Sequence, residues 1–276
     1  MKVDLHMHSH CSDGSMPPEE LAKKVWEQGM EFASLTDHDT ISGQERFMRA
    51  AKPLGVQTIT GVEFSVEFPG ELHILGYGME LGLPILQQTF QTLLEKRRVR
   101  TENIIQKLKN LGIAIELAQV EQEAGSEIIG RPHIAKALVK NGYVKDIGDA
   151  FDRYLSRGCP GFCEREKLDK AYTIDLIKKC GGIAVLAHPG LVNTDDIGRL
   201  IGELKDLGLG GVEAYYPVHS NDQVAFFENT AKQLGILVTV GSDYHGDLRK
   251  DRSIGCEKRA SAYLEKSIAI LSKFAE

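Results

Sequence analysis

The sequence predicts an α/β fold built around a sheet, and three observations predict it. Short apolar, β-branched runs recur at 3–5, 32–35, 58–62, 183–186, 211–212 and 237–240. Helical patterns come after most of them, at 17–28, 43–51, 195–207, 221–234 and 262–274. Alternating strand and helix implies parallel strands, in a sheet either open or closed into a barrel. The third observation is a break in that rhythm: residues 83–165 contain no convincing strand, and 87–111 reads as one long helix ending near Gly112.

Each element has a local reason. Pro17-Pro18-Glu19-Glu20 puts proline and acids in the first turn of a helix, where the missing N–H costs nothing and the helix dipole favours negative charge. Shorter helices are expected at 134–140 and 149–155. The expected organisation is therefore one α/β domain formed by 1–82 and 166–276, with a helical insertion at 83–165.

Bulk properties narrow the function. The 276 residues and 42% hydrophobic content are ample for a large core. A net charge of -6 without a long basic run argues against gripping duplex nucleic acid through its backbone. The five cysteines are an odd, scattered set rather than a disulfide framework, and Cys159-x-x-x-Cys163 is a poor zinc signal. No apolar run approaches the roughly 18 residues a membrane helix needs, and the N-terminus shows no signal-peptide pattern. The expectation is a cytoplasmic protein without a membrane partner.

The chemistry lies in the residues just past each strand. His6, His8 and Asp13 come after the first; Asp37, His38 and Asp39 after the second; Glu63, with His73 ten residues on, after the third. His188, Glu213, and the pair Asp243 and His245 come after the last three. Function gathers at the carboxyl ends of parallel strands, and His and Asp are residues that bind transition metals. Taken singly the signals are weak. A lone His-x-His also fits a buried histidine pair, and Asp39 also fits a cap on the helix starting near Ser42. Repetition at successive strand ends is what points to metal.

These motifs resemble the PHP (polymerase and histidinol phosphatase) superfamily. They are Asp4-Leu5-His6-Met7-His8 with Ser12-Asp13-Gly14, Thr36-Asp37-His38-Asp39, Gly61-Val62-Glu63, Ala187-His188-Pro189 and Gly241-Ser242-Asp243-Tyr244-His245, in the family's order. The resemblance implies a distorted (β/α)7 barrel and a centre of two or three divalent ions. Manganese is the first expectation, with iron and zinc as alternatives. By motif, one ion would take His6, His8, Glu63 and Asp243. Glu63 would bridge to a second held by His73 and His188, and a third would take Asp13, His38 and His245.

Segments 130–138 and 213–219 further resemble the branch of nucleoside 3',5'-bisphosphate phosphatases and RNase AM-like 5'-to-3' exonucleases. The implied activity is hydrolysis of a phosphate ester by a metal-bridging hydroxide, with phosphate as product and a nucleotide or short oligonucleotide as substrate. Divalent ions a few ångströms apart acidify a shared water and neutralise phosphoryl charge. Only three carboxylates (Asp13, Glu63, Asp243) would face up to six positive charges, so the site would stay cationic and favour an anionic substrate. Substrate contacts are expected from Arg131 and His133, ahead of a helix, and from Arg97 and Arg100, though the run 96–100 also reads as a solvated helix face. His219 is expected as a leaving-group acid or phosphate contact. Alternatives are a histidinol-phosphate-type phosphomonoesterase, an amidohydrolase, or a non-catalytic metal-binding module.

Overall fold

The structure is a computed structural model that describes residues 1–124, 129–256, 258 and 260–275. Its strands are β1 (Val3–Asp4), β2 (Phe32–Ala33), β3 (Gln57–Thr58), β4 (Gly61–Ser65), β5 (His73–Tyr77), β6 (Ile183–Leu186), β7 (Gly211–Tyr215) and β8 (Leu237–Val240). Its helices are α1 (Pro18–Glu27), α2 (Gln44–Ala51), α3 (Pro84–Asn110), α4 (Leu117–Ala124), α5 (Arg131–Lys140), α6 (Ile147–Ala150), α7 (Lys170–Lys179), α8 (Ile197–Leu207), α9 (Asn221–Leu234) and α10 (Ala262–Leu271). The chain divides into two compact units: Met1–Gln87 with Lys167–Glu276, and Gln88–Glu166. Among the described residues no helix is long and apolar enough to cross a membrane.

The first unit is the α/β part. β1, β2 and β3 form a parallel sheet, and β4 to β8 form a second sheet in sequence order. Parallel bridges Met7–Tyr244 and His38–Glu63 run between the two sheets, and Leu5 N–H donates to Val240 O at 3.0 Å. One expectation fails. β5 runs antiparallel to both β4 and β6, so the strands are not all parallel. The reason is a short connection: only seven residues separate Ser65 from His73, enough for a reversal and too few for a crossover helix. The expected single run at 58–62 is also two strands, β3 and β4, in different sheets.

Amphipathic helices cover the sheets. Leu21, Ala22 and Val25 of α1 pack with Phe47 of α2 onto Ala33 and Leu35. Fully burying a side chain the size of valine, leucine or phenylalanine contributes about 1.5–3 kcal/mol. A helix without a counterpart in the sequence pattern, α7, is capped by Asp169, whose carboxylate accepts the N–H groups of Ala171 and Tyr172. The second unit is helical throughout its described core, around Ile104, Leu108, Ile115, Val120, Ile134, Leu138 and Leu155.

Candidate metal centre

The site is built from strand ends and the loops after them. Because β5 is antiparallel, its first residue, His73, pairs with Ser65 at the end of β4. The start of β5 thus lies at the same rim as the ends of the parallel strands. A bulge between Glu213 and Tyr215 leaves Ala214 out of register at the end of β7, as bulges near functional sites often do.

Beneath the rim lies a layer of satisfied carboxylates. Asp4 accepts from the backbone N–H groups of His6 (3.2 Å), Ser242 (3.0 Å) and Gly255 (2.7 Å). Asp37 accepts from Ser9 N–H (2.7 Å), Ser9 Oγ (2.6 Å) and Ser12 Oγ (2.7 Å), which fixes the loop carrying Asp13. Glu213 accepts from His188 N–H at 2.8 Å and lies 2.9 Å from His6 Nδ1. That contact assigns the proton to Nδ1 and turns His6 Nε2 toward the rim. The close fit explains Gly241, where an added Cβ would collide with Glu213 Oε1 and His6 Cβ.

Above that layer Glu63 is the hub. Its Oε2 lies 3.2 Å from His6 Nε2, His8 Nε2 and His38 Nδ1. Its Oε1 lies 2.8 Å from His73 Nδ1 and 3.0 Å from His188 Nε2. Asp243 Oδ1 lies 3.3 Å from His8 Nε2, 3.5 Å from His245 Nδ1 and 3.6 Å from His6 Nε2. Asp13, with its side chain 43% exposed, lies 3.3 Å from His245 Nε2. Three groups have donor atoms close enough to share an ion: His6, His8, Glu63, Asp243; His8, Asp13, His38, His245; and His38, Glu63, His73. His188 reaches Glu63 without joining a group.

The donor set fits divalent cations. His6 Nε2, both His8 nitrogens, His38 Nδ1, Glu63 Oε2, His73 Nδ1, His188 Nδ1 and His245 Nε2 are buried without a hydrogen-bond partner. So many converging unsatisfied polar atoms are costly unless something binds them. Burial opposes charge on every group here, yet the facing charges prevail for most. Asp13, Glu63 and Asp243 are held well below the usual carboxylate range by the imidazoles around them. Burial would lower His8, but Asp243, Glu63 and Asp13 push it up to about 10. His6 is raised likewise against burial by Glu213 and Glu63, whereas His38 is lowered, burial being the largest cause. Without a cation, the carboxylates draw protons onto His6 and His8.

Backbone strain marks the same rim. The non-glycine residues with positive φ among those described are Asp39 (52°), His188 (27°) and Asp243 (56°). Each costs on the order of 1–3 kcal/mol, retained where surrounding structure holds it. Asp39 accepts from Ser65 N–H at 3.0 Å rather than capping α2.

The other expected residues are His219 in the first unit and Arg97, Arg100, Arg131 and His133 in the second. His219 donates from Nδ1 to Ala214 O (2.9 Å), and its Nε2 accepts from Gly190 N–H (3.1 Å). Burial lowers its pKa, so it is a neutral imidazole with both nitrogens engaged by backbone, next to the His188 loop. Arg131 and His133 occupy the first turn of α5 rather than preceding it, and His133 Nδ1 accepts from Gly130 N–H at 3.1 Å. Arg131 donates to Leu155 O (3.1 Å) and Arg100 to Cys163 O (2.9 Å). Burial, then the nearby Arg131 and Arg97, lower Arg100 to about 10. Arg97 and Arg100 lie on α3 in this second unit.

Three supports of the centre are not evident in the sequence. Glu213 is visible as a strand-end acid, but its pairing with His6 is not. Tyr216 OH donates to Asp243 Oδ2 at 2.7 Å, and Arg249 Nη1 to the same oxygen at 2.5 Å. In the sequence Tyr216 reads equally as core packing or base stacking.

A family model described as PHP domain matches residues 4–160, more than half of the chain. The chain belongs to the PHP domain family. Relatives of this PHP protein include a 5'-3' exoribonuclease from Haemophilus influenzae, 36% identical over 88% of this chain and 90% of that one. A 3',5'-nucleoside bisphosphate phosphatase from Chromobacterium violaceum is 32% identical over 92% and 90%. A solved amidohydrolase from Chromobacterium violaceum, with bound sulfate and no metal, superimposes with a TM-score of 0.86 over 100% of this chain and 98% of that chain, at 29% identity. This PHP protein is a metal-dependent phosphoesterase with a His/Asp/Glu cluster capable of holding metal ions.

Proposed function

We propose that this PHP protein is a cytoplasmic hydrolase of nucleotide phosphate esters, taking a nucleoside 3',5'-bisphosphate or the 5' end of a short RNA. The observation that carries the reading is the set of buried, unpartnered donor atoms converging around Glu63. The proposed ligands are His6, His8, Asp13, His38, Glu63, His73, His188, Asp243 and His245, for two or three divalent ions, with manganese first. Such ions, when bound, acidify water and neutralise developing phosphoryl charge. Support for the substrate class comes from the two relatives, one acting on RNA and one on a nucleoside bisphosphate.

The chain's own groups do the rest. Glu213 fixes the His6 tautomer, Tyr216 holds Asp243, and Asp37 anchors the loop carrying Asp13. We assign His219 to positioning the Gly190 loop. The two sheets of the first unit are read as the distorted barrel of the family. The helical unit is read as the substrate cap, contributing Arg97, Arg100, Arg131 and His133. Arg97 and Arg131 both oppose the charge on Arg100, and such a grouping suits an anionic ligand, which supports that assignment.

The test is product release by the manganese-loaded protein. Its panel is adenosine 3',5'-bisphosphate, a short 5'-phosphorylated RNA, histidinol phosphate and an amide panel. The expected result is phosphate from the bisphosphate or mononucleotides from the RNA, with most activity lost in His8→Ala. Hydrolysis of amides alone would sink the proposal.

A further inference from the structure

Arg249 sits at the end of a tight turn that the fold holds firmly. The turn, Gly246–Leu248, comes directly after His245. Asp247 N–H donates to Ser15 Oγ at 3.0 Å, and Ser15 N–H donates to His245 O at 3.0 Å. Gly246 has φ 69°, and an added Cβ there would collide with Ser15 Oγ. The position of the Arg249 backbone is therefore set by packing against the loop that also carries Asp13.

The side chain then does two unlike things. Nη1 donates to Asp243 Oδ2 at 2.5 Å, yet the side chain remains 47% exposed. Asp243 is thereby split: Oδ2 faces Tyr216 and Arg249, while Oδ1 faces His6, His8 and His245. A guanidinium has five N–H donors. Among the described residues Asp243 is the only hydrogen-bond or ion-pair partner of this one. Asp13 and Glu63 also attract its charge.

We propose that Arg249 is a phosphate-binding residue of the first unit, held ready on Asp243 Oδ2 until an anionic substrate arrives. The inference rests on the phosphoesterase reading and adds a contact to it. Three carboxylates facing several divalent cations would leave net positive charge. A guanidinium in that field is best paired with a phosphoryl group, which its planar fork can meet with two parallel bonds. Holding the arginine on Asp243 beforehand limits the ordering cost when phosphate binds.

The test is calorimetric titration of inorganic phosphate into manganese-loaded wild type, Arg249→Gln and Arg249→Lys, with metal content and melting temperature measured on each. Kinetics on adenosine 3',5'-bisphosphate accompany it. Arg249→Gln is expected to weaken phosphate binding by at least ~10-fold and raise KM comparably. Its kcat should change less than about threefold, and its metal content should match wild type. Arg249→Lys, which keeps the charge and loses the fork, should fall between. Phosphate affinity in Arg249→Gln within about twofold of wild type would overturn the proposal. So would loss of metal in step with loss of phosphate binding, because Arg249 would then act only through Asp243. Arg249-dependent phosphate binding in a wild type that hydrolyses no phosphate ester would uphold the contact and overturn the activity.

Discussion

Two layers of acids lie a few residues apart at the strand ends, and they are wired in opposite ways. The lower layer (Asp4, Asp37, Glu213) receives hydrogen bonds from backbone and hydroxyl groups until little remains unsatisfied. The upper layer (Glu63, Asp243, Asp13) faces imidazoles that each keep at least one buried nitrogen without a hydrogen-bond partner. A buried acid with its donors in place is scaffold. A buried acid surrounded by unsatisfied ligand atoms is a site awaiting cations. The same residue types therefore serve two purposes, separated by what points at them.

Substitutions in the two layers should fail differently. The largest effect belongs to the hub: Glu63→Gln keeps the shape and removes the shared charge. Its phosphoesterase activity should fall by ~1000-fold or more. A variant retaining a tenth of the activity would erase the distinction between layers. In the lower layer, Asp37→Asn turns an amide toward the Ser9 and Ser12 donors and should cost about 1–3 kcal/mol of stability, read by denaturant unfolding. Glu213→Gln, also in the lower layer, should be intermediate in effect: it keeps a contact to His6 but weakens the imidazole as a ligand. Metal affinity should drop ~10- to 100-fold at nearly constant stability.

These layers are unequally legible in the sequence. His6, His8, Asp37, His38, Glu63, His188, Asp243 and His245 stand out because each comes after a short apolar run, and strand ends are local features. Asp37 and Glu213 are visible in the same way, but their work is not. Asp37 is defined by Ser9 and Ser12, and Glu213 by His6, contacts that only the folded chain creates. β5 escapes notice because a five-residue strand beginning with a histidine has no apolar run ahead of its ligand. The reversal that brings His73 to the rim depends on pairing with β4, which no periodicity announces. α7 is hard to see because its start is marked only by the Asp169 cap. His219 looks like a proton donor from its position alone; its two backbone partners, Ala214 and Gly190, come into place only in the folded chain.

The smallest effect concerns pH. His8 titrates near 6.5 unfolded and near 10 in the folded, metal-free protein. Its protonation therefore stabilises the fold fully below about 6.5, and that stabilisation is lost as the pH rises through 10. The metal-free protein should lose a few degrees of melting temperature between pH 7 and 10. Metal binding should strengthen over the same range, since each ion must displace protons from its ligands. Calorimetry in buffers of different ionisation enthalpy would count those protons.

The central claim is that the upper layer, and Glu63 above all, exists to hold cations. Metal content of manganese-loaded, desalted protein tests it most directly, comparing wild type with Glu63→Gln. With Glu63 shared by two of the three ligand groups, wild type should retain two or three ions per chain and the variant fewer than one. Equal metal content in the two proteins, or none in wild type, would contradict the account.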